Sequence, residues 1–246
     1  MYNLGLADGP QIDVIDRYTK AIVGEIKGKN YTAAFRLWDE MLNGDLFPYP
    51  NYFHNVTASS DYDNFQRINA PASYSYYSAF LNRKDVRQAI HAGDDTSYGG
   101  NARDCEKALV PDFMVSMLPR VKRLLEEAKL PVLVYVGQLD IIIGTPLVAG
   151  WLNAFEWEGA AAYRSNARGI WRSMETDTSA DPQQGKDPVF GYYRTAHPYP
   201  LTFVTVRGAG HILPADAPEQ ALDMVTRFVE GVPFSKGSGE ERVSLE

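Results

Sequence analysis

The sequence predicts an α/β fold in its second half, preceded by a helical region. In the first third, apolar residues recur at three- and four-residue steps, which is the spacing of amphipathic helices. Two runs in the second half, residues 131–136 and 201–206, are continuously apolar or β-branched. Such runs are typical of strands buried on both faces of a sheet. Helical spacing follows each run, and this alternation favours a parallel α/β sheet.

The first region reads as a helical insertion with an irregular middle. An apolar stripe over Gln11–Ile26 predicts one helix, and a second short helix is predicted over Thr32–Leu42. Residues 44–73 are rich in Pro, Asn, Asp and Tyr, which predicts a long irregular connection. Helical spacing returns over residues 75–81 and 84–91.

Capping residues place the helices around the first strand. Asp112 is expected to cap a helix that Pro119 kinks or divides. After the strand, Thr145 is expected to be the N-cap of a helix with Pro146 at its first position.

The last predicted helix follows the second strand through a Gly-Ala-Gly turn. Asp216 would open this helix, and Glu219 three residues later resembles a capping box. Its predicted apolar stripe is Leu222, Val225 and Phe228 or Val229. Gly231 would end it.

Composition excludes several classes of function. The 246 residues carry a net charge of −7 with dispersed basic residues, so no cationic face for a nucleic acid is expected. No apolar run is long enough to span a bilayer, and the start lacks the pattern of a signal peptide. The single cysteine, Cys105, excludes an internal disulfide and a CxxC-type zinc site. Cysteine use alone suggests a reducing compartment, whereas two sequons, at Asn30 and Asn55, predict glycosylation acceptors.

Two candidate reactive residues follow the two predicted strands. Asp140 comes after the first strand through Gly-Gln-Leu, and His211 comes after the second through the glycine turn. Ligands of open α/β sheets gather at the carboxyl ends of the strands. A carboxylate that orients an imidazole is the second half of a Ser-Asp-His triad in the chain order of α/β-hydrolases. Taken singly, each residue has a structural explanation, as a turn residue or a packed histidine, and the paired order favours catalysis.

The motifs around these residues resemble the serine carboxypeptidase family. The matching stretches are Val136-Gly-Gln-Leu-Asp-Ile-Ile142, Gly150-Trp-Leu-Asn153 and Gly208-Ala-Gly-His-Ile-Leu-Pro-Ala-Asp-Ala-Pro218. Asp85-Val-Arg-Gln-Ala-Ile-His91 is similar to the family's lid motif, and Gly191-Tyr192 fits a short strand before the histidine. The Gly-Gln-x-Asp form, with Leu-Gly-Leu-Ala-Asp8 near the start, most resembles the vitellogenic-like branch.

The resemblance implies the C-terminal part of an α/β-hydrolase sheet preceded by a helical cap. Residues 1–111 would form the cap, 112–234 the core and 235–246 a loose tail. Asp140 would hold the imidazole tautomer, His211 would act as general base, and Ile212 would line the pocket for the leaving C-terminal residue. No cofactor is implied.

The nucleophile is absent from the sequence. No Gly-x-Ser-x-Gly elbow occurs, and the nearest approximation, around Ser97, lacks the first glycine and follows a helical segment. The family's elbow would precede Met1. Without the serine no acyl-enzyme can form, so the chain alone is expected to be inactive.

Several readings stay open at this stage. Joined to its Ser-bearing N-terminal half, the chain would release the C-terminal residue of a peptide; otherwise it would be a non-catalytic binding module or part of an acyltransferase. Exposed sheet surface predicts that it binds its other half or dimerises. The resemblance implies a lysosomal, vacuolar or secreted setting with an acidic working pH. His54, His91 and His197 lack zinc-site spacing and are interpreted as structural.

Overall fold

The computed structural model describes residues 1–46, 50–93, 97–99, 102–173 and 189–235. The chain divides into two compact units. The first unit consists of Met1–Tyr62 and Arg67–Ser116, and the second of Asp63–Gln66 and Met117–Glu246. Of the predicted tail, all but the first residue lies outside the described residues.

The regular elements of the first unit are all helices or helical turns in its described part. Its α-helices are α1 (Gly9–Lys27), α2 (Tyr31–Trp38), α3 (Tyr52–Thr57), α4 (Tyr76–Leu81), α5 (Lys84–Ala89) and α6 (Ala102–Phe113). A π-helical turn, Asp39–Asn43, continues α2, and 3₁₀ turns cover Tyr2–Leu4 and Ala72–Ser75.

Helix α1 confirms the first predicted helix and shows why it begins where it does. The Asp8 carboxylate accepts a hydrogen bond from the Gln11 N–H at 3.1 Å, and the Gln11 side chain accepts from the Asp8 N–H at 2.8 Å. This capping box satisfies two otherwise unpaired donors of the first turn. The predicted apolar stripe is the less exposed face of the helix, with Ile22 buried at its centre.

Two helices of the first unit were not predicted. The connection over residues 44–73 contains α3, which Asn51 caps by accepting the His54 N–H at 2.8 Å. Helix α6 has a polar first half, and Asp112 lies near its end, so the predicted cap at Asp112 is wrong. The end of α6 is held by aromatic contacts of Phe113 with the rings of Phe35 and Trp38, both with centroids 5.1 Å apart.

The second unit alternates helices with a four-stranded sheet. Its elements are α7 (Leu118–Glu126), β1 (Val132–Gly137), α8 (Thr145–Ala154), α9 (Ala160–Ser165), β2 (Gly169–Arg172), β3 (Val189–Thr195), β4 (Leu201–Val206), α10 (Leu213–Asp216) and α11 (Pro218–Glu230). The strand order is β1-β4-β3-β2. Strands β1 and β4 are parallel, as predicted, whereas β3 and β2 run antiparallel to their neighbours. The sheet is therefore mixed rather than parallel.

Both faces of the sheet carry a core. Strand β4 contributes Leu201 and Phe203 to one cluster and Val204 and Val206 to the other. Helices α7, α8 and α9 complete the first cluster, and α10 and α11 complete the second. Because side chains alternate across a strand, a continuous apolar run is what this double burial requires.

Two predictions for the second unit, a cap at Thr145 and a helix kinked or divided at Pro119, differ from the structure by a small displacement. Thr145 is the first helical residue of α8, Gly144 is the N-cap, and the Thr145 hydroxyl instead donates to the Gly137 carbonyl at 3.4 Å. Pro119 lies in the first turn of α7, where its missing N–H costs nothing, and so it starts a helix instead of bending one.

Helix α11 departs most from its prediction. It begins at Pro218 with Ala217 as N-cap, so Asp216 does not cap it, although it ends at Gly231 as expected. Its buried face consists of Ala221, Met224 and Arg227. The predicted stripe is exposed instead: Leu222, Val225 and Val229 expose 70%, 48% and 74% of their surface.

Candidate active site

The parallel pairing of β1 and β4 brings the two predicted reactive residues to one edge of the sheet. The strands run in register from Val132 opposite Leu201 to Gly137 opposite Val206. Both strands therefore end at the same level, and Asp140 and His211 lie on the short turns that follow. Asp140 and His211 come close together because the short turn after β1 and the short turn after β4 begin at the same edge of the sheet.

Asp140 and His211 form a direct hydrogen bond. His211 Nδ1 lies 2.9 Å from Asp140 Oδ2, while the other carboxylate oxygen accepts the Ile143 N–H at 2.8 Å. An ionised carboxylate only accepts, so the proton between the pair is on Nδ1. The Asp140 side chain is 3% exposed and the His211 side chain 39%. The pair thus offers a fixed ring with its other nitrogen, Nε2, available at the surface.

The Asp140 carboxylate also affects the pKa of the His211 imidazole. The hydrogen bond that His211 donates to Asp140 raises the pKa of His211, and the negative charges of Asp140 and Asp63 act in the same direction. Partial burial opposes them, because desolvation disfavours the charged ring. The net effect raises the pKa above its ordinary value, which makes His211 a better proton acceptor than an isolated imidazole.

The two turns meet backbone to backbone. The Leu139 N–H donates to the Ala209 carbonyl at 2.8 Å. A Cβ atom on Gly137 would overlap the carbonyl oxygens of Ala209 and Gly210, so only glycine permits this approach. Contact between the two turns therefore requires glycine at position 137, whereas Gly208 adopts a positive φ of 73° and a Cβ atom on Gly210 would overlap the Asp63 carbonyl.

A segment of the predicted irregular connection completes this edge of the sheet. Residues Asp63–Gln66 belong to the second unit, where the Asp63 carbonyl accepts the His211 N–H at 2.7 Å. The Phe65 N–H donates to the Leu139 carbonyl at 3.0 Å, so the segment binds both turns. Only its Asp- and Asn-rich composition could have drawn attention to it, and that composition is shared by ordinary loops.

The remaining predicted site residues are placed as follows. Ile212 follows His211 at the start of α10 and is 40% exposed. Both sequon asparagines, Asn30 before α2 and Asn55 within α3, are exposed. Ser97 is exposed and comes after helix α5, and part of the segment around it lies outside the described residues.

Other kinds of site find no support in the described ranges. Within them, no group of His, Cys, Asp and Glu side chains is arranged to hold a metal ion. None of the helices described is long and apolar enough to cross a membrane. Cys105 is an exposed thiol on α6.

Comparison with known proteins identifies a family that the chain resembles along most of its length. The family model "Serine carboxypeptidase" matches residues 10–231. The human "Probable serine carboxypeptidase CPVL" is 36% identical over 231 residues, which cover 94% of this chain and 45% of the relative. The "Venom serine carboxypeptidase" of Apis mellifera is 34% identical over 235 residues, 95% of this chain and 47% of the relative. The chain thus spans about half the length of the curated relatives it matches.

A solved structure supports the fold. Kex1Δp, a prohormone-processing carboxypeptidase from Saccharomyces cerevisiae, superposes with a TM-score of 0.61 at 16% sequence identity. The match covers 94% of this chain and 50% of the yeast chain. At this identity the likeness concerns the fold alone, and it assigns the chain to the α/β-hydrolase architecture.

Proposed function

The chain belongs to the serine carboxypeptidase family, and from this premise we propose that it supplies the aspartate and histidine of the family's catalytic triad. The single observation that carries the proposal is the 2.9 Å contact between Asp140 Oδ2 and His211 Nδ1 at the carboxyl ends of two parallel strands. The proposed reaction is hydrolysis of the last peptide bond of a peptide through a serine acyl-enzyme.

In this mechanism His211 is the general base. Its Nδ1–H donates to the buried Asp140, so Nε2 carries the lone pair that takes the proton of an attacking serine hydroxyl. The serine oxygen then attacks the carbonyl carbon of the last peptide bond. The imidazolium returns its proton to the departing amine, leaving an acyl-enzyme that water hydrolyses by the same steps.

The serine must come from another segment of protein. A Gly-x-Ser-x-Gly elbow does not occur in the sequence, so we propose that a Ser-bearing N-terminal half completes the enzyme and that this chain alone is inactive. Ile212, partly exposed beside His211, would contact the C-terminal residue that leaves.

The same half is the partner that the exposed surface of the second unit favours. Within the described residues, β1 pairs only with β4, so its other edge is unpaired there, and Tyr135 on this strand is half-exposed. The exposed apolar residues of α11 form a second surface. Unpaired strand edges and apolar patches of this kind favour association.

The decisive experiment is reconstitution. The chain, alone and together with a Ser-bearing N-terminal half, is treated with a serine-reactive phosphonate probe and with a peptide substrate. We expect labelling and release of one C-terminal residue only from the combination, with loss of both in H211Q. H197Q, which changes another exposed histidine of the same unit, is the control. A combination that folds but neither labels nor hydrolyses would overturn the proposal.

We also propose that the protein passes through the secretory pathway and carries glycans on Asn30 and Asn55. Both asparagines lie on exposed surface, as an oligosaccharide requires. The mass of the native protein before and after enzymatic deglycosylation tests this proposal. An unchanged mass would contradict it.

A further inference from the structure

The turn before His211 is rich in glycine, and glycine residues do not by themselves fix the backbone conformation of the turn. Gly208 has a positive φ of 73°, and Gly210 directly precedes the histidine. Glycine allows wide rotation of the backbone, so small changes at Gly210 would swing the imidazole away from Asp140. The orientation of His211 therefore depends on what binds the N–H groups of this turn.

Asp216 binds the first of these groups. Its Oδ2 accepts the Gly210 N–H at 2.7 Å and also accepts the Asn64 side-chain amide at 3.0 Å. Asp216 lies at the end of α10, and α11 begins without a side-chain cap, so capping α11 does not explain this carboxylate. The carboxylate is instead directed back at the histidine turn.

Asn64 connects this contact to the second N–H of the turn. It is buried, with 6% of its surface exposed, and it follows Asp63, whose carbonyl accepts the His211 N–H. A Cβ atom on Gly210 would overlap the Asp63 carbonyl and crowd Asn64, which shows how closely the segment packs on the turn. The Gly210 and His211 amides are thus held by one connected group of polar residues.

We propose that Asp216, held by Asn64, is a positioning residue that locks the Gly210 amide and thereby keeps the His211 ring on Asp140. Neither Asp216 nor Asn64 contacts the reacting atoms in this scheme. The inference rests on the proposed function, because a fixed imidazole matters for proton transfer. Hydrogen bonds that backbone N–H groups donate to a carboxylate are strong enough to hold such a turn, since an ionised acceptor roughly doubles the strength of the bond.

The first test measures the His211 ring in this chain and needs no activity. NMR titration of the imidazole is carried out on wild type, D216A and D216N. In D216A the ring loosens from Asp140, so we expect the pKa of His211 to fall towards the ordinary value of about 6.5. In D216N the amide oxygen still accepts both hydrogen bonds, so the pKa stays close to that of wild type although the charge is lost.

D223N serves as the matched control, since Asp223 is another carboxylate of the second unit that accepts a ring N–H. It lowers stability and leaves the pKa of His211 unchanged. If D216A does not fold, N64A replaces it and should shift the pKa in the same direction by less. An unchanged pKa in a folded D216A or N64A chain, or equal losses in D216A and D216N, would overturn the inference.

The second test uses the enzyme completed by its Ser-bearing half. A misplacement of about 1 Å at a reacting group can cost about 100-fold in rate, so D216A should lower kcat by about 10- to 100-fold with little change in KM. D216N should restore kcat to within about threefold of wild type on the same reasoning. If the completed enzyme is inactive in every form, the proposed function fails, while the NMR result still decides whether Asp216 orients the ring.

Discussion

Two carboxylates of the second unit accept a hydrogen bond from an aromatic ring N–H, and the two pairs differ in what surrounds the ring. Asp140 accepts from His211 at 2.9 Å, and Asp223 accepts from the Trp171 Nε1–H at 2.8 Å. The Trp171 ring is fully buried, and Arg227, also fully buried, donates to the same Asp223 oxygen at 2.5 Å. The His211 side chain is 39% exposed, and among the described residues Asp140 is paired with His211 and with no arginine or lysine.

This difference in surroundings explains why the Asp140–His211 pair suits proton transfer while the Asp223–Trp171 pair suits a stabilising role. The indole has no second nitrogen, and its carboxylate is paired with Arg227, so the Asp223 group holds β2 and α11 together. The imidazole presents Nε2 at the surface, and its carboxylate stays available to stabilise a positive ring. The two pairs thus differ in the exposure of the ring, since His211 is partly exposed and Trp171 is buried, and not in the hydrogen bond to the carboxylate.

The largest expected effect is the loss of kcat on substitution of Asp140, the carboxylate of the Asp140–His211 pair. D140N in the enzyme completed by its Ser-bearing half should lower kcat by about 10⁴-fold, because an amide favours the wrong imidazole tautomer. The free energy of unfolding of the chain should change little in comparison. Steady-state kinetics and urea denaturation measure the two. A loss of less than about tenfold in kcat would contradict the role of Asp140.

The reverse experiment removes the cation from the structural pair. R227M keeps most of the volume of the arginine but leaves the Asp223 carboxylate without its buried partner, which costs about 3–5 kcal/mol in comparable pairs. Urea denaturation of the chain measures the loss. The pKa of His211, read by NMR in the folded fraction, should stay that of wild type. A stability within about 1 kcal/mol of wild type would show that the ion pair contributes nothing net.

A smaller effect isolates the Trp171 hydrogen bond. Trp157 is also buried, but its Nε1–H has no hydrogen-bond partner among the described residues. W171F and W157F remove similar apolar volume, and only W171F also breaks a hydrogen bond to a carboxylate. W171F should therefore destabilise the chain by about 1–3 kcal/mol more than W157F, measured by urea denaturation. Equal losses would mean that the bond to Asp223 adds nothing.

The smallest effect concerns pH. The pKa of His211 is raised in the folded chain, so between the unfolded value of about 6.5 and the folded value the native state binds more protons. The stabilising contribution of His211 is therefore complete below that unfolded value and is lost as the pH rises through the folded pKa. The difference in unfolding free energy between wild type and H211Q should shrink over this range.

The tryptophan pair provides the control for this titration. No titratable ring is present there, so the stability difference between wild type and W171F should stay constant over the same pH range. Urea denaturation at a series of pH values measures both differences. A difference for H211Q that grows with pH would contradict the sign of the pKa shift.

The contact between Asp140 and His211 could be predicted from the sequence because its signals are local. Asp140 and His211 each follow a strand directly, and parallel pairing of β1 and β4 then leaves no choice of edge. Asp63 and Asn64 could not be found in this way, since they come from a loop far earlier in the chain. Asp216 was misread as a helix opening because its partner, the Gly210 amide, is a tertiary contact.

The errors in α6 and α11 have the same origin. The polar first half of α6 gives no stripe, and aromatic contacts of Phe113 at its far end help to hold it. In α11 the buried face contains Arg227, which hydropathy assigns to solvent. Its partners in the interior include Asp223 and the carbonyls of Arg172 and Pro233. Local sequence signals predicted the end of α11 at Gly231 and missed α6, whereas partner residues decided which face of each helix is buried.

The approach of Gly137 to the histidine turn has a consequence for evolution. The spacing of acid and base is fixed by main chain against main chain, with no side chain between them that mutational drift could enlarge or shrink. The surrounding helices can therefore exchange residues, and new specificities can arise on them, while the reactive pair keeps its separation. Lineages of this chain are therefore constrained at a glycine that has no chemistry of its own.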